Sequence, residues 1–231
     1  MKTIVLISGK MQSGKNQFAE YLSNDLKFKQ KRVRTDLFAA SLKRGCSEDF
    51  KFATAQINAV VAEVKDLINS TWLNDTYNLI AAKKLLDQLT VTKEANWYED
   101  KTIISRLLLQ TYGTEIFRNR IDTNYWVNQV IDRAFSSDEE FTLVTDARFE
   151  NEITHVVYRC ESEPATQLAK VVTIRINRNM KMNDLYLHDS ENGLDNFTSW
   201  DHVINNNGTL DDLKKAAKVV TNSILGDKHG K

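Results

Sequence analysis

The chain of 231 residues has no excess of charge of either sign: 31 lysines and arginines balance 31 aspartates and glutamates. A dedicated nucleic-acid binder carries a basic surplus, so that class is set aside. Local basic clusters survive the balance and leave small phosphorylated ligands open. Cysteine is scarce. Cys46 and Cys160 lie far apart in sequence and read as free thiols in a reducing compartment. The four histidines, His155, His188, His202 and His229, lack the spacing of zinc ligands. No apolar run approaches the length of a membrane span. The opening MKTIVLISGK has too short an apolar stretch for a signal peptide and no cleavage site, so the expected location is the cytoplasm. Proline is absent from residues 46–135, and no glycine falls between Gly45 and Gly113. Nothing there interrupts a helical period.

The patterns that are present alternate between sheet and helix. Thr3 to Ser8, TIVLIS, is a β-branched apolar run of the kind buried on both faces in a parallel sheet. After Lys15, Phe18, Ala19, Leu22 and Leu26 recur at helical spacing. Arg32 to Phe38 reads as a second, weaker strand. Residues 46–135 are mostly helical in pattern and read as an insertion flanking the sheet. The strand pattern returns at Phe141 to Thr145 and closes on Asp146, with a helix expected from Asn151. Ala169 to Ile176 is the next strand. Residues 177–199 are polar and irregular. A short strand, an Asn-Gly turn and a last amphipathic helix follow, with Thr209 as its N-cap and Asp211 and Asp212 in its first turn. The order predicts an α/β fold, a mostly parallel sheet with helices on both faces.

Chemistry concentrates between the first strand and the first helix. In ISGKMQSGKNQF, Gly9, Gly14 and Lys15 fit the phosphate-loop spacing G-x-x-x-x-G-K-[ST], but Asn16 stands where a hydroxyl is expected. Such a loop works through backbone amides that cradle phosphate oxygens, helped by the positive end of the next helix. Lys15 adds a mobile cation for the β- and γ-phosphates, and Lys10 and Ser13 are further donors. Asp146, at the carboxyl end of a strand, reads either as a Mg²⁺ ligand or as a helix cap. Arg148, two residues on, can face the same phosphates. Arg106, Arg118, Arg120, Arg148, Arg175 and Arg178 are candidates to neutralise transferring charge, or solvated surface cations. Phe38 and Trp126 can stack on a base or fill the core.

Several blocks together resemble one family, the deoxynucleoside monophosphate kinases of tailed bacteriophages. They are SGKMQSGKNQFA, LFAASLKRGC, RLLLQTYGTEIFRNRIDTNYWV, VTDARFENEI, HDSENGLD and DHVINNNGTLDDL, which span nearly the whole chain. The resemblance implies a P-loop NTPase fold forming one kinase domain over residues 1–231. It implies a helical acceptor-binding insertion at about 46–135 and a lid-like segment at about 177–199. It further implies transfer of the ATP γ-phosphate to a deoxynucleoside monophosphate, with Mg²⁺ and a homodimer. Gly9, Lys10, Met11, Gln12, Ser13, Gly14, Lys15, Asn16, Gln17 and Arg175 would hold ATP. Lys15, Arg148, Asp146, Arg118 and Arg178 would serve catalysis. Phe38, Lys43, Arg106, Gln110, Gly113 and Trp126 would lie near the acceptor, and Asn16 and Asp146 near the metal. Asn16 retains a carbonyl oxygen for a metal-bound water but lacks a charge, so the metal is expected to rest mainly on ATP, water and Asp146. The loop alone leaves two other readings open: a kinase of another small phosphorylated metabolite, and a nucleotide-binding protein without catalysis.

Overall fold

The computed structural model describes residues 1–51, 109, 113, 117–119, 121–162, 169–179 and 192–226. The chain divides into two compact units, Met1–Ala39 with Asn124–Lys231, and Ala40–Thr123. The first unit holds the sheet. Its strands are β1 (Lys2–Ser8), β2 (Val33–Asp36), β3 (Phe141–Ala147), β4 (Ala169–Asn177) and β5 (His202–Asn205). Their order is β2-β3-β1-β4-β5, and every neighbouring pair is parallel. The described helices are α1 (Lys15–Phe28), α2 (Phe38–Lys51), α3 (Tyr125–Ser136), α4 (Glu150–Ser162) and α5 (Leu210–Leu225).

The continuous apolar run of β1 has a direct cause. Val5 and Ile7 point into a core shared with Phe18, Leu22 and Leu26 of α1 and Leu213, Ala217 and Val220 of α5. Ile4 and Leu6 point the other way, into a core with Val127, Val130 and Ile131 of α3 and Ile153 and Val156 of α4. Alternate side chains face opposite sides, so a central strand covered twice shows no polar alternation. This is the α/β arrangement expected of a P-loop kinase fold.

Boundaries follow local chemistry. Thr209 caps α5 and forms a capping box with Asp212. At α3, the ammonium of Lys2 donates to the carbonyls of Ala134 (2.9 Å) and Glu139 (3.3 Å), matching a cation to the negative helix end. The sequence reading departs from the structure at Phe38. The strand stops at Asp36, and Phe38 opens a helix. Long-range hydrogen bonds account for the change: the carboxylate of Asp146 accepts from the amides of Phe38 (2.8 Å) and Ala39 (2.9 Å). Most of the expected helical insertion, and residues 180–191 of the irregular stretch, lie outside the described residues.

Candidate active site

The carboxyl ends of β1, β3 and β4 come together. Ser8 pairs with Ala147 on one side and with Arg175 on the other. Ligands in open parallel sheets bind beyond these ends. From Ser8 the chain enters the loop Gly9–Lys15, which turns back into α1.

Two glycines in this loop are required sterically. A Cβ on Gly9 would meet the carbonyl of Ile176 at 2.4 Å and Ser13 Oγ at 2.5 Å. Gly14 has φ +97°, and a Cβ there would meet Asn206 Nδ2 at 2.4 Å. Gly14 also occupies the N-cap position of α1 and offers no side-chain cap. The first turn of α1 carries no acidic residue. Uncapped amides, a positive helix end and no nearby carboxylate on the helix form an electrostatic setting for an anion.

The cations around the loop each hold a partner that an anion can replace. Lys15 Nζ donates to the carbonyls of Gly9 and Lys10, the latter at 2.7 Å. Lys10 Nζ donates to Asp195 Oδ2 at 2.8 Å. Arg175 donates to Ser8 Oγ (3.0 Å) and to Asp195 Oδ1 (2.9 Å). Inside the loop, Ser13 Oγ is buried and has no hydrogen-bond partner. An orphaned hydroxyl among backbone amides suits an incoming phosphate oxygen. Met11 is half-buried, while Gln12 and Asn16 are exposed. The Gln17 amide donates to Glu20 on the flank of α1 (3.0 Å).

On the β3 side, burial pushes the Asp146 carboxyl above the usual carboxylate range, opposed by the α2 amides and by Arg148. Each Asp146 oxygen has one amide partner and retains acceptor capacity. Among the described residues, no group of three or more His, Cys, Asp or Glu could hold a metal. A hard cation such as Mg²⁺ needs only one or two protein carboxylates when phosphate oxygens and waters complete its shell, so the donor set here fits that ion. Arg148 sits exposed on the turn after β3. Glu152 braces this turn from a buried position, accepting from the amides of Arg148 (2.6 Å) and Phe149 (3.1 Å).

The other expected residues are distributed as follows. Arg178 is exposed just past β4. Phe38 and Trp126 are 3% and 5% exposed, and Phe38 belongs to the core between the sheet, α3 and α4. Trp126 meets Tyr125 edge to face at 4.8 Å. Lys43, Gly113 and Arg118 belong to the second unit. There a Cβ on Gly113 would meet Leu42 at 2.8 Å, and the Arg118 carbonyl accepts from Thr123 Oγ1. Arg106, Gln110 and Arg120 lie outside the described residues.

Three residues of the site escape a sequence reading. Asn206 donates from Nδ2 to the Ser13 carbonyl (2.9 Å) and so ties the end of β5 to the loop. In sequence it is one of three consecutive asparagines in a turn, without a signal of its own. Asp195 and Glu152 sit inside the resembling blocks, and only the fold gives them partners.

A family model described as deoxynucleotide monophosphate kinase matches residues 47–217. No curated protein matches the chain. The matched span begins after the glycine loop, so the loop geometry and the family match are separate lines of evidence. The loop suits a bound anion, and with well over half of its length matched, the chain belongs to the deoxynucleotide monophosphate kinase family, enzymes that phosphorylate deoxynucleoside monophosphates.

Proposed function

We propose that ATP is the phosphoryl donor of this kinase and that its phosphates enter the loop Gly9–Lys15. The observation that carries this reading is the loop itself: amides around Gly9 and Gly14, the orphaned Ser13 hydroxyl, and a lysine folded back onto loop carbonyls. Phosphoryl transfer asks a protein for little covalent chemistry. It needs positioning and neutralisation of charge on the transferring group. In this reading Lys15 leaves the loop carbonyls to bind the β- and γ-phosphate oxygens. Lys10, Arg175 and Arg178 supply further positive charge on the donor side, and Arg148 on the β3 side.

Mg²⁺ would be held by Asp146 with phosphate oxygens and waters, Asn16 contacting it through water, and would screen the phosphate charge. The Asp146 carboxylate, fixed by two backbone amides, has one orientation and so needs little reorganisation to accept a metal-bound water. The acceptor monophosphate would meet Lys43, Arg106, Gln110, Gly113 and Arg118 of a helical insertion at about 46–135. Phe38 and Trp126 would shape that side by packing. The lid-like segment at about 177–199 would exclude water from the reaction. The blocks shared with phage enzymes support a phage origin, action in the host cytoplasm and a homodimer.

A coupled assay with ATP, Mg²⁺ and a panel of deoxynucleoside and ribonucleoside monophosphates tests the reading. ADP formation that depends on a deoxynucleoside monophosphate is expected. ATP consumption indifferent to the acceptor would refute it.

A further inference from the structure

Asp195 lies between two cations of the phosphate loop. Its Oδ2 accepts from Lys10 Nζ at 2.8 Å and its Oδ1 from Arg175 Nη2 at 2.9 Å. The two cations differ in setting. The Arg175 side chain is 11% exposed, while those of Lys10 and Asp195 are 38% and 37% exposed. Arg175 also donates to Ser8 Oγ and lies over the Trp200 ring, 5.8 Å from its centre. It therefore keeps partners if Asp195 loses its charge. For Lys10, Asp195 is an ion-pair partner at 2.8 Å.

The carboxylate is itself held in place. Leu194, its neighbour, is buried in the core, and the Asp195 amide donates to the Asn192 carbonyl at 3.0 Å. The Trp200 indole donates to the Phe197 carbonyl at 2.8 Å and fixes the end of the same turn. A fixed carboxylate facing a flexible lysine on a phosphate-binding loop competes for the bonds that a phosphate oxygen would take. Both are anions accepting charge-assisted hydrogen bonds.

We propose that Asp195 is a resident counter-anion of the phosphate loop: it competes with nucleotide phosphate for Lys10 while keeping Arg175 oriented at the end of β4. Its charge sets nucleotide affinity, weakening the hold on donor and diphosphate product alike. The proposal rests on the reading that the loop binds nucleotide phosphates. It assigns Asp195 a positioning and affinity-setting role, with no part in the chemical step.

Nucleotide titrations of the full chain test it, with ATP and ADP as probes, at low and high salt. Asp195→Asn is expected to bind both about two- to fivefold more tightly at low ionic strength, with the gain shrinking as salt screens the pair. In a Lys10→Gln background the same change is expected to be silent. KM for ATP should fall while KM for the acceptor stays the same. Asp195→Glu, which keeps the charge, should bind as the wild type does. If the amide variant does not fold, Asp195→Ser is read in its place. A folded neutral variant that binds nucleotide equally or more weakly overturns the proposal, as does tightening that persists without Lys10. Failure of the wild-type chain to bind either nucleotide would overturn the parent reading and this one with it. Wild-type binding without the tightening would overturn this one alone.

Discussion

The carboxyl edge of the sheet has two halves built from the same ingredients to opposite ends. Beyond β1 and β4, cations surround the glycine loop, and their partners include loop carbonyls, Ser8 Oγ and the half-exposed Asp195. At the end of β2, the charges are locked. Asp36 is 6% exposed and accepts two bonds from Arg133 (both 2.9 Å), one from Arg34 (3.0 Å) and one from the Leu37 amide (2.7 Å). An ion pair that is buried and saturated cannot release a partner without leaving a charge stranded. A half-buried cation such as Lys15, resting on loop carbonyls, can exchange them for a phosphate at little cost. Burial and partner count separate architecture from chemistry here, although the residue types are alike.

The contrast predicts how each half breaks. Asp36→Ala removes the buried anion that Arg133 and Arg34 share and should destabilise the fold by about 3–5 kcal/mol in denaturant unfolding. Stability within about 1 kcal/mol of the wild type would mean that this half is not locked. Lys15→Ala should reverse the pattern. Turnover should drop about a hundred- to a thousandfold, as when one preorganised donor to a charged transition state is lost. Unfolding free energy should stay within about 0.5 kcal/mol, since the Gly9 and Lys10 carbonyls that lose Lys15 lie in a loop outside the packed cores. A matching loss of stability would place Lys15 with the architecture.

Asp146 sits at the seam, both a helix cap and the metal's proposed protein ligand. Its raised carboxyl makes activity and stability respond oppositely to acid. As pH falls through the folded pKa of the metal-free chain, a proton would compete with the proposed metal for the carboxylate, so activity should decline at a higher pH than an ordinary aspartate would give. The folded chain binds that proton more tightly than the unfolded one. This site's contribution to stability is therefore complete below the unfolded pKa and is lost as pH rises through the folded one. In Asp146→Asn the acid limb of the rate profile should vanish, and the melting temperature relative to the wild type should gain its largest advantage at higher pH. An unchanged acid limb would remove Asp146 from metal binding. The smallest effect is expected at Asn16, which is exposed and proposed to act through water: Asn16→Ala should lower turnover by about two- to tenfold. A loss equal to that of Lys15→Ala would contradict this division of labour.

What the sequence disclosed depended on how far apart the determining partners are. The apolar run of β1, the glycine loop and the Thr209 N-cap are written in contiguous residues, because side-chain alternation, loop spacing and i-to-i+3 hydrogen bonds act locally. Phe38 was legible only as the end of a strand. Its helix starts because Asp146, 108 residues away, accepts its amide. Asn206 and Asp195 reach the loop across 193 and 185 residues. No pattern in a window of sequence carries such contacts. Asn16 has the opposite character: its departure from the loop pattern is visible in sequence, and the consequence proposed for it concerns a metal that only the reaction would bring.

An amide NMR titration of the deuterated chain with ATP, first without metal, tests the asymmetry of the two halves most directly. The largest shifts are expected at Gly9 to Asn16, with Leu37, Phe38 and Ala39 little changed until Mg²⁺ is added and reaches Asp146. Shifts confined to residues 37–39, with a silent loop, would contradict the assignment of the exchangeable half as the phosphate site.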